Sequence, residues 1–299
     1  MSNTLTNLTD TIITNAAIEA FTAAIAPLRA FAQNVSPEPS QKGDKVKVLS
    51  VAAATAATSF VEGTGYTMQD TTAEGLDVTL NKHEFVSWYT TDTELSKNPQ
   101  INIERFGRQK GFQLAKKVLQ DIWSLVTNAN YGAAAFTGLA SSFDADDVAD
   151  IRGVCSAADW PLQERALILD DAYYTALLKD NAIQDVSASA MTDPIREGRV
   201  NRLLGFEVLE STLVPGNAEN LVGFAVNPDS ILVAMRYMMP QQGHKYYQAA
   251  SITDPNGSGF TIGFRDWYNE EEARRKKVLD CVYGYLKGTG AALKRIVSA

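Results

Sequence analysis

The side chains best suited to catalysis are few and scattered in this sequence. The histidines are His83 and His244, and neither has a second histidine or a cysteine at the spacing that zinc or a nucleophile–base pair requires. Cys155 and Cys281 lie far apart and outside any paired motif, which favours two buried, inert thiols in a reducing compartment over a disulfide. The sequence therefore supports neither a zinc site nor histidine-based catalysis.

Two oxygen-rich segments have side chains that could bind a cation. Residues 254–259 imitate the opening of a calcium loop, but Arg265 occupies the twelfth position, where a bidentate glutamate is needed, so a plain turn is favoured. Four aspartates could attract a divalent ion, although their spacing suits the first turn of a helix better: Asp144, Asp146, Asp147 and Asp150. We predict that the chain binds neither metal nor cofactor.

Other catalytic motifs are weaker still. Residues 63–65 lack the lysine and the spacing of a phosphate-binding loop, and the sequence contains no Gly-x-Ser-x-Gly element. Asp170 and Asp171 remain as the carboxylates that an α+β enzyme would use. The main prediction is that the protein is not an enzyme. An α+β enzyme that uses these carboxylates is kept as an alternative function.

Composition limits the class of protein and the partners that the chain can have. The chain has 299 residues, 45% hydrophobic content and a formal net charge of −8, typical of a globular protein whose surface as a whole does not bind nucleic acid. A local basic face stays compatible with that charge. We expect no membrane span, because no apolar run is long enough, and no secretory signal at the start of the sequence.

A long amphipathic helix is predicted over residues 98–129. Asn98 can cap it, and Pro99 suits the first helical position. Roughly 28 residues at 1.5 Å each span about 40 Å, which is nearly a whole domain. This is either a specialised spine or an ordinary long core helix of an α+β enzyme. The predicted apolar face consists of Phe112, Ala115, Leu119, Ile122 and Val126.

An extended, Thr/Ala/Gly-rich segment precedes that helix over residues 45–80. Leu76, Val78 and Leu80 alternate as in a strand, but the apolar face is thin. Because an isolated pair of strands is marginal in water, we predict that this ribbon is ordered on another subunit.

The rest of the chain divides into shorter predicted elements. An amphipathic segment at 16–31 and a proline-containing linker form the N-terminal part, and a strand is predicted at 84–91. An α/β region then carries strands at 166–169, 204–209 and 221–226 and a helix from Asn227 through Met235. Strands at 260–268 and 277–286 form a hairpin with a charged tip.

In this order of parts the chain resembles the major capsid protein of tailed bacteriophages, the Hong Kong 97-type fold. The residues that carry the resemblance lie at 78–83, 89–95, 199–208 and 264–268. The resemblance implies an α+β fold with an N-terminal arm, an extended β loop, a spine helix, a peripheral domain and an α/β axial domain. The implied boundaries are 1–40 for the arm, 41–83 for the loop, 84–138 and 237–287 for the peripheral domain with its helix at about 99–128, and 139–236 and 288–299 for the axial domain.

The family's role implies a structural function. Hexamers and pentamers of the chain would form an icosahedral head around double-stranded DNA, placing the protein in the virion after assembly in the host cytoplasm. The implied partners are further copies of the chain, a separate scaffold protein, a portal, a decoration protein and packaged DNA. A nanocompartment shell protein of the same fold (encapsulin-like), with a cargo-peptide site on its inner face, is the nearest alternative.

Two sets of residues are predicted to make contacts in such a shell. The hairpin tip mixes acidic and basic residues and suits pairing between symmetry-related copies. Exposed cations on the long helix could face DNA phosphates, although a solvated polar face is the favoured explanation. The predicted intersubunit contacts are Phe60, Tyr66, Trp267, Tyr268, Glu270, Glu271, Glu272, Arg274, Arg275 and Lys276. The predicted DNA-facing residues are Arg105, Arg108, Lys110, Lys116 and Lys117.

Overall fold

A computed structural model describes residues 6–30, 32–34, 45–51, 59–63, 66, 73–92, 97, 101–184, 198–236, 238, 248–253 and 261–299. The helices are α1 (Thr6–Ile25), α2 (Ile101–Trp123), α3 (Asn128–Tyr131), α4 (Ala145–Ala157), α5 (Asp171–Lys179) and α6 (Asn181–Gln184). The strands are β1 (Ala32–Asn34), β2 (Lys45–Val51), β3 (Ala73–Thr79), β4 (Lys82–Thr91), β5 (Phe136–Gly138), β6 (Arg165–Leu169), β7 (Arg202–Leu203), β8 (Phe206–Glu210), β9 (Leu221–Val226), β10 (Ile231–Arg236), β11 (Gln248–Thr253), β12 (Thr261–Asn269), β13 (Arg274–Lys287) and β14 (Leu293–Ser298). The predicted cap at Asn98 and Pro99, the turn at 254–259 and His244 lie outside the described residues.

The first sheet is built around the long strand β13. Its order is β1-β10-β13-β12-β11, with β4 also paired to β13; β1 and β10 are parallel and the other pairs antiparallel. On one face of β13, Leu279, Cys281 and Tyr283 are fully buried, because alternate residues of a strand point to the same side. The predicted β12–β13 hairpin is confirmed, with a turn over residues 270–273.

The second sheet has the order β5-β14-β9-β6-β8-β7 and carries α4 and α5. Strand β6 is buried at every position, and the neighbouring β9 is nearly so, which explains their near-continuous apolar sequences. The predicted strand at 221–226 is confirmed. Strand β5 belongs to this sheet, whereas the predicted boundary at residue 138 grouped it with the peripheral domain.

Strand β10 corrects the helix predicted from Asn227 through Met235. Asn227 does cap a turn, but this is a short 3-10 turn over Pro228–Ser230, after which the chain extends as Ile231–Arg236. A continuous apolar run fits either a buried strand or a buried helix, and pairing with β1 and β13 decides for the strand. Residues 231–236 therefore lie in the first sheet. The predicted boundary at 236 had grouped them with the second sheet.

The long helix is present and ends earlier than predicted. It spans Ile101–Trp123, 23 residues, and its buried face includes Ala115, Leu119 and Ile122 as predicted. Phe112 is instead 45% exposed. It lies on the same side of the helix as Leu119 but two turns earlier, where the packing that covers Leu119 does not extend.

The N-terminal segment contributes to the core. Helix α1 begins at Thr6, earlier than the amphipathic segment predicted at 16–31, and buries Ala17, Phe21 and Ile25 in the same cluster as α2. The chain continues through β1, which pairs in parallel with β10. The described part of the predicted arm is therefore packed within its own subunit.

The contact between α1 and α2 depends on Gly111. A Cβ atom at this position would overlap the backbone carbonyl of Ala17. We expect Gly111→Ala to lower the free energy of unfolding by about 1 to 3 kcal/mol through overpacking. The matched control is Gly153→Ala in α4, where nothing lies within 4 Å of the added atom and the gain in helix propensity is about 0.5 to 1 kcal/mol. Denaturant unfolding of both variants tests this; stabilisation by both changes contradicts the close approach.

Candidate assembly surface

The ribbon of β2 and β3 is anchored at one end and exposed at the other. Its apolar residues Val46, Val48 and Val78 pack with Leu232 and Val282 of the first sheet, so its base lies on its own subunit. This differs from the prediction that the whole ribbon needs a neighbour, because the few alternating apolar residues find a sheet within the chain. The prediction remains for the far end of the ribbon.

An aromatic pair stands on the part of the ribbon beyond the paired strands. The rings of Phe60 and Tyr66 lie 4.8 Å apart between centroids, and the two residues are 57% and 86% exposed. Val61, between them in sequence, is 60% exposed. Large apolar side chains grouped and exposed in this way are typical of interaction sites.

A cleft of about 650 Å³ lies on the first sheet. Its lining combines residues of β4, β12 and β13 with Lys110 of α2. Phe85 and Tyr89 in this lining are 60% and 52% exposed. The cleft is lined by Phe85, Ser87, Trp88, Tyr89, Lys110, Trp267, Lys276 and Val278.

Phe85 and Tyr89 lie in the strand predicted at 84–91 but are not among the predicted contact residues. A signal was available. Strand β4 has large apolar residues on both faces, with Trp88 buried and Phe85 and Tyr89 exposed. A strand of this kind has either a core or an interface on each side.

Two arginines of the hairpin tip make contacts within the subunit. Arg275 forms a bidentate pair with Asp266, with Nη2 to Oδ2 at 2.6 Å and Nε to Oδ1 at 3.0 Å. The guanidinium of Arg274 lies 4.7 Å from the centre of the Tyr89 ring. Since the Arg275 side chain is only 14% exposed, it does not offer a charge to another subunit.

The remaining tip residues are more accessible. Glu270 and Glu271 are exposed, while Glu272 pairs with Lys276 at 2.8 Å, a contact that lowers the pKa of Glu272. Tyr268 is 45% exposed and donates a hydrogen bond to Asp92 at 2.8 Å. The structure thus brings Trp267, Lys276 and the cleft together and leaves the tip carboxylates facing outward.

An ion cluster around the buried Asp280 joins three strands of the first sheet. Asp280 on β13 receives a hydrogen bond from Arg265 on β12 at 2.8 Å, and His83 on β4 lies 3.2 Å away. Burial raises the pKa of Asp280, and the charge of Arg265 opposes that rise. Gly263 is directly opposite, and a side chain there would meet the Asp280 carboxylate. The cluster is a structural tie between strands.

Among the predicted DNA-facing cations, Lys110 is half-buried in the lining of the cleft, and Arg108 and Lys117 are exposed and have carboxylate partners. Arg108 lies 3.2 Å from Glu19 of α1, and Lys117 lies 2.8 Å from Asp121, whose hydrogen bond raises the pKa of Lys117. Arg105 and Lys116 are also exposed. The outward face of α2 is therefore of mixed charge.

The residues tested for chemistry have structural roles where they are described. Asp144 caps α4 by accepting from the backbone N–H groups of Asp146 and Asp147, as the spacing predicted. Asp170 caps α5 by accepting from the N–H of Asp171 at 2.8 Å. Burial raises the pKa of the free thiol of Cys155 to about 11. Within the described ranges, no group of three or more His, Cys, Asp or Glu side chains is arranged to hold a metal ion.

None of the described helices combines the length and the apolar character needed to cross a membrane.

Comparisons with known proteins found similarity in structure but not in sequence. Neither the models of known protein families nor the curated protein sequences gave a match. Among solved structures, one of Mycobacterium phage Che8 has a TM-score of 0.61 and 16% identity, covering 91% of this chain and 90% of that chain. The bacteriophage PhiM1 mature capsid gives 0.58 and 13%, covering 86% and 82%. A virus-like particle from Pyrococcus furiosus gives 0.53 and 12%, covering 96% and 97%.

These similarities define the class of fold. The chain is an α+β protein with the fold of bacteriophage capsid proteins. In particular, it has the major capsid protein fold over nearly its whole length.

Proposed function

We propose that this chain is the major capsid protein of a tailed bacteriophage. It assembles as hexamers and pentamers into an icosahedral head that encloses double-stranded DNA. The observation that carries the proposal is the alignment with the PhiM1 mature capsid over 86% of this chain. The described part of the chain supports it with an exposed aromatic pair between strands β2 and β3 and an exposed aromatic cleft on the first sheet.

The proposed contact joins the ribbon of one copy to the cleft of the next. The ribbon offers the exposed rings of Phe60 and Tyr66. The cleft offers the exposed rings of Phe85 and Tyr89. Aromatic rings pack against one another, so the two surfaces are complementary in their apolar character.

The exposed carboxylates Glu270 and Glu271 and the exposed ring of Tyr268 are proposed as secondary contacts between capsomers. Trp267 and Lys276 belong to the cleft, and Arg274 holds one of its rings. Arg275 is no longer proposed, because it is committed to Asp266.

The subdomains keep their proposed roles with two changes of boundary. The first sheet with α2 is the proposed peripheral domain, the second sheet the proposed axial domain and the ribbon the proposed extended loop. Residues 231–236 move to the peripheral domain and 136–138 to the axial domain, following their strand pairing.

The proposed partners follow from the capsid role. Packaged DNA is contacted without sequence preference through exposed cations such as Arg105 and Lys116. A separate scaffold protein, a portal and a decoration protein complete the proposed assembly, which takes place in the host cytoplasm and places the chain in the virion shell.

The alternative is a nanocompartment shell protein of the encapsulin type. The alignment with the Pyrococcus furiosus virus-like particle, which covers 96% of this chain and 97% of that chain, favours it as the second candidate. Both candidates build closed shells from one chain. They differ in what the shell contains.

Electron microscopy of the purified, expressed chain tests the proposal. We expect closed, uniform shells, formed with a scaffold protein supplied from the same genome if the chain alone gives only free capsomers. Particles isolated from the natural source are expected to contain double-stranded DNA. A protein cargo in those particles supports the nanocompartment, and a chain that stays monomeric under all these conditions contradicts both candidates.

A further inference from the structure

The end of the long helix is held by a loop that is distant in sequence. The loop connects β8 to β9 in the second sheet and contains a tight turn closed by a hydrogen bond from the Glu219 N–H to the Gly216 carbonyl at 2.9 Å. The side-chain amide of Asn217 donates to the carbonyls of Trp123 at 2.9 Å and Val126 at 2.8 Å. These carbonyls stand where α2 ends and the chain turns toward the second sheet.

A second group of contacts lies beside the first. One carboxylate oxygen of Glu219 accepts from the Asn128 N–H at 2.8 Å and lies 2.8 Å from the Arg295 guanidinium. Arg295, on β14 and 4% exposed, also donates to the carbonyl of Gly132 at 2.9 Å. Asn217 and Glu219 thus bind both sides of the link between α2 and β5.

The backbone of the turn is unusual for its sequence. Asn217 and Ala218 both have positive φ, of 47° and 55°, as a type I′ turn requires at its two central positions. Asparagine is suited to the first position, but alanine stands at the second, where glycine is preferred. A left-handed alanine is maintained when surrounding contacts fix the conformation, and such residues concentrate at functional positions.

We propose that Asn217 and Glu219 form a clasp that sets the angle between the long helix and the second sheet. This inference rests on the proposed function for its consequence: in a closed shell of repeated subunits, the angle between the two parts of each subunit determines the angle between neighbours. A change in the clasp then alters the curvature of the shell, because every copy repeats it.

The clasp is tested by two substitutions that each change one functional group of a side chain. Asn217→Asp keeps the size and the turn preference of the side chain but places carboxylate oxygens against the carbonyls of Trp123 and Val126, which repel them. Glu219→Gln removes the charge that Arg295 binds. The matched control is Ala218→Gly, which leaves the clasp contacts in place and suits the turn.

Two measurements are made on each full-length variant. Amide hydrogen exchange of the free subunit is expected to be about tenfold faster at residues 123–132 in Asn217→Asp and Glu219→Gln, with exchange in the strands of the second sheet unchanged. Electron microscopy is expected to show shells whose diameter is shifted or no longer uniform. Ala218→Gly is expected to match the wild type in both measurements.

The outcomes separate the clasp from the capsid role. Shells of wild-type diameter and uniformity in both clasp variants overturn the proposal, even if the subunits melt at a lower temperature. If Asn217→Asp does not fold, Glu219→Gln decides by the same two measurements. If the wild type forms no shells, the proposed function fails, while unchanged exchange at residues 123–132 in the variants still overturns the clasp.

Discussion

Replacing Phe60 and Tyr66 together by serine is expected to abolish closed shells and to leave the subunit folded. The two residues are 57% and 86% exposed, so the isolated subunit loses little packing. In the proposed contact each ring is buried in the cleft of a neighbouring copy. Burial of a large apolar side chain is worth about 1.5 to 3 kcal/mol, and a shell repeats the loss at every copy.

The measurement combines thermal unfolding of the subunit with electron microscopy of the assembly reaction. Phe60→Tyr and Tyr66→Phe serve as controls, because they keep both rings and are expected to give normal shells. Phe85→Ser with Tyr89→Ser, on the opposite side of the proposed contact, is expected to reproduce the defect. Normal shells from the Phe60 and Tyr66 serine variant mean that the ribbon does not dock through these rings.

Replacing Arg275 by alanine is expected to lower the free energy of unfolding of the subunit by about 3 to 5 kcal/mol. Its guanidinium binds both oxygens of Asp266, whose side chain is 2% exposed. Removing one partner leaves a buried carboxylate without its bidentate partner, which costs more than the pair contributes. Assembly is expected to fail as a consequence of this instability.

The neighbouring arginine provides the matched control. Arg274 lies on the ring of Tyr89, which is 52% exposed, and such a contact is worth about 0.5 to 1 kcal/mol. Denaturant unfolding of Arg275→Ala and Arg274→Ala measures both losses. Equal losses mean that the Asp266 pair is not the main contribution of Arg275.

Much of the local structure could be predicted because it depends on near neighbours in sequence. The cap at Asp144 needs only the two backbone N–H groups that follow it, and the β12–β13 hairpin needs alternating residues on either side of a polar turn. The buried face of α2 at Ala115, Leu119 and Ile122 follows from helical periodicity alone. The order of these parts was enough to indicate the capsid fold, which the structural comparisons confirm.

Only part of the candidate site could be predicted from the sequence. Phe60 and Tyr66 were identified because they stand in a segment with little apolar material around them. Phe85 and Tyr89 were not, because a strand with large residues on both faces has the same pattern whether it faces a core or an open cleft. Arg275 was assigned to a neighbour because the charge of a hairpin tip does not show that Asp266 lies across the strand pair.

Only the tertiary structure decided where the long elements end and which state an apolar run adopts. The run that forms β10 is a strand because β1 and β13 supply its backbone partners, although Asn227 and Pro228 signal a helix start. Helix α2 stops at Trp123, short of its apolar pattern at Val126, where Asn217 binds the carbonyls of both residues. Sequence alone determined the elements that near neighbours stabilise; contacts between distant residues determined the rest, because backbone groups take whichever partner the fold brings to them.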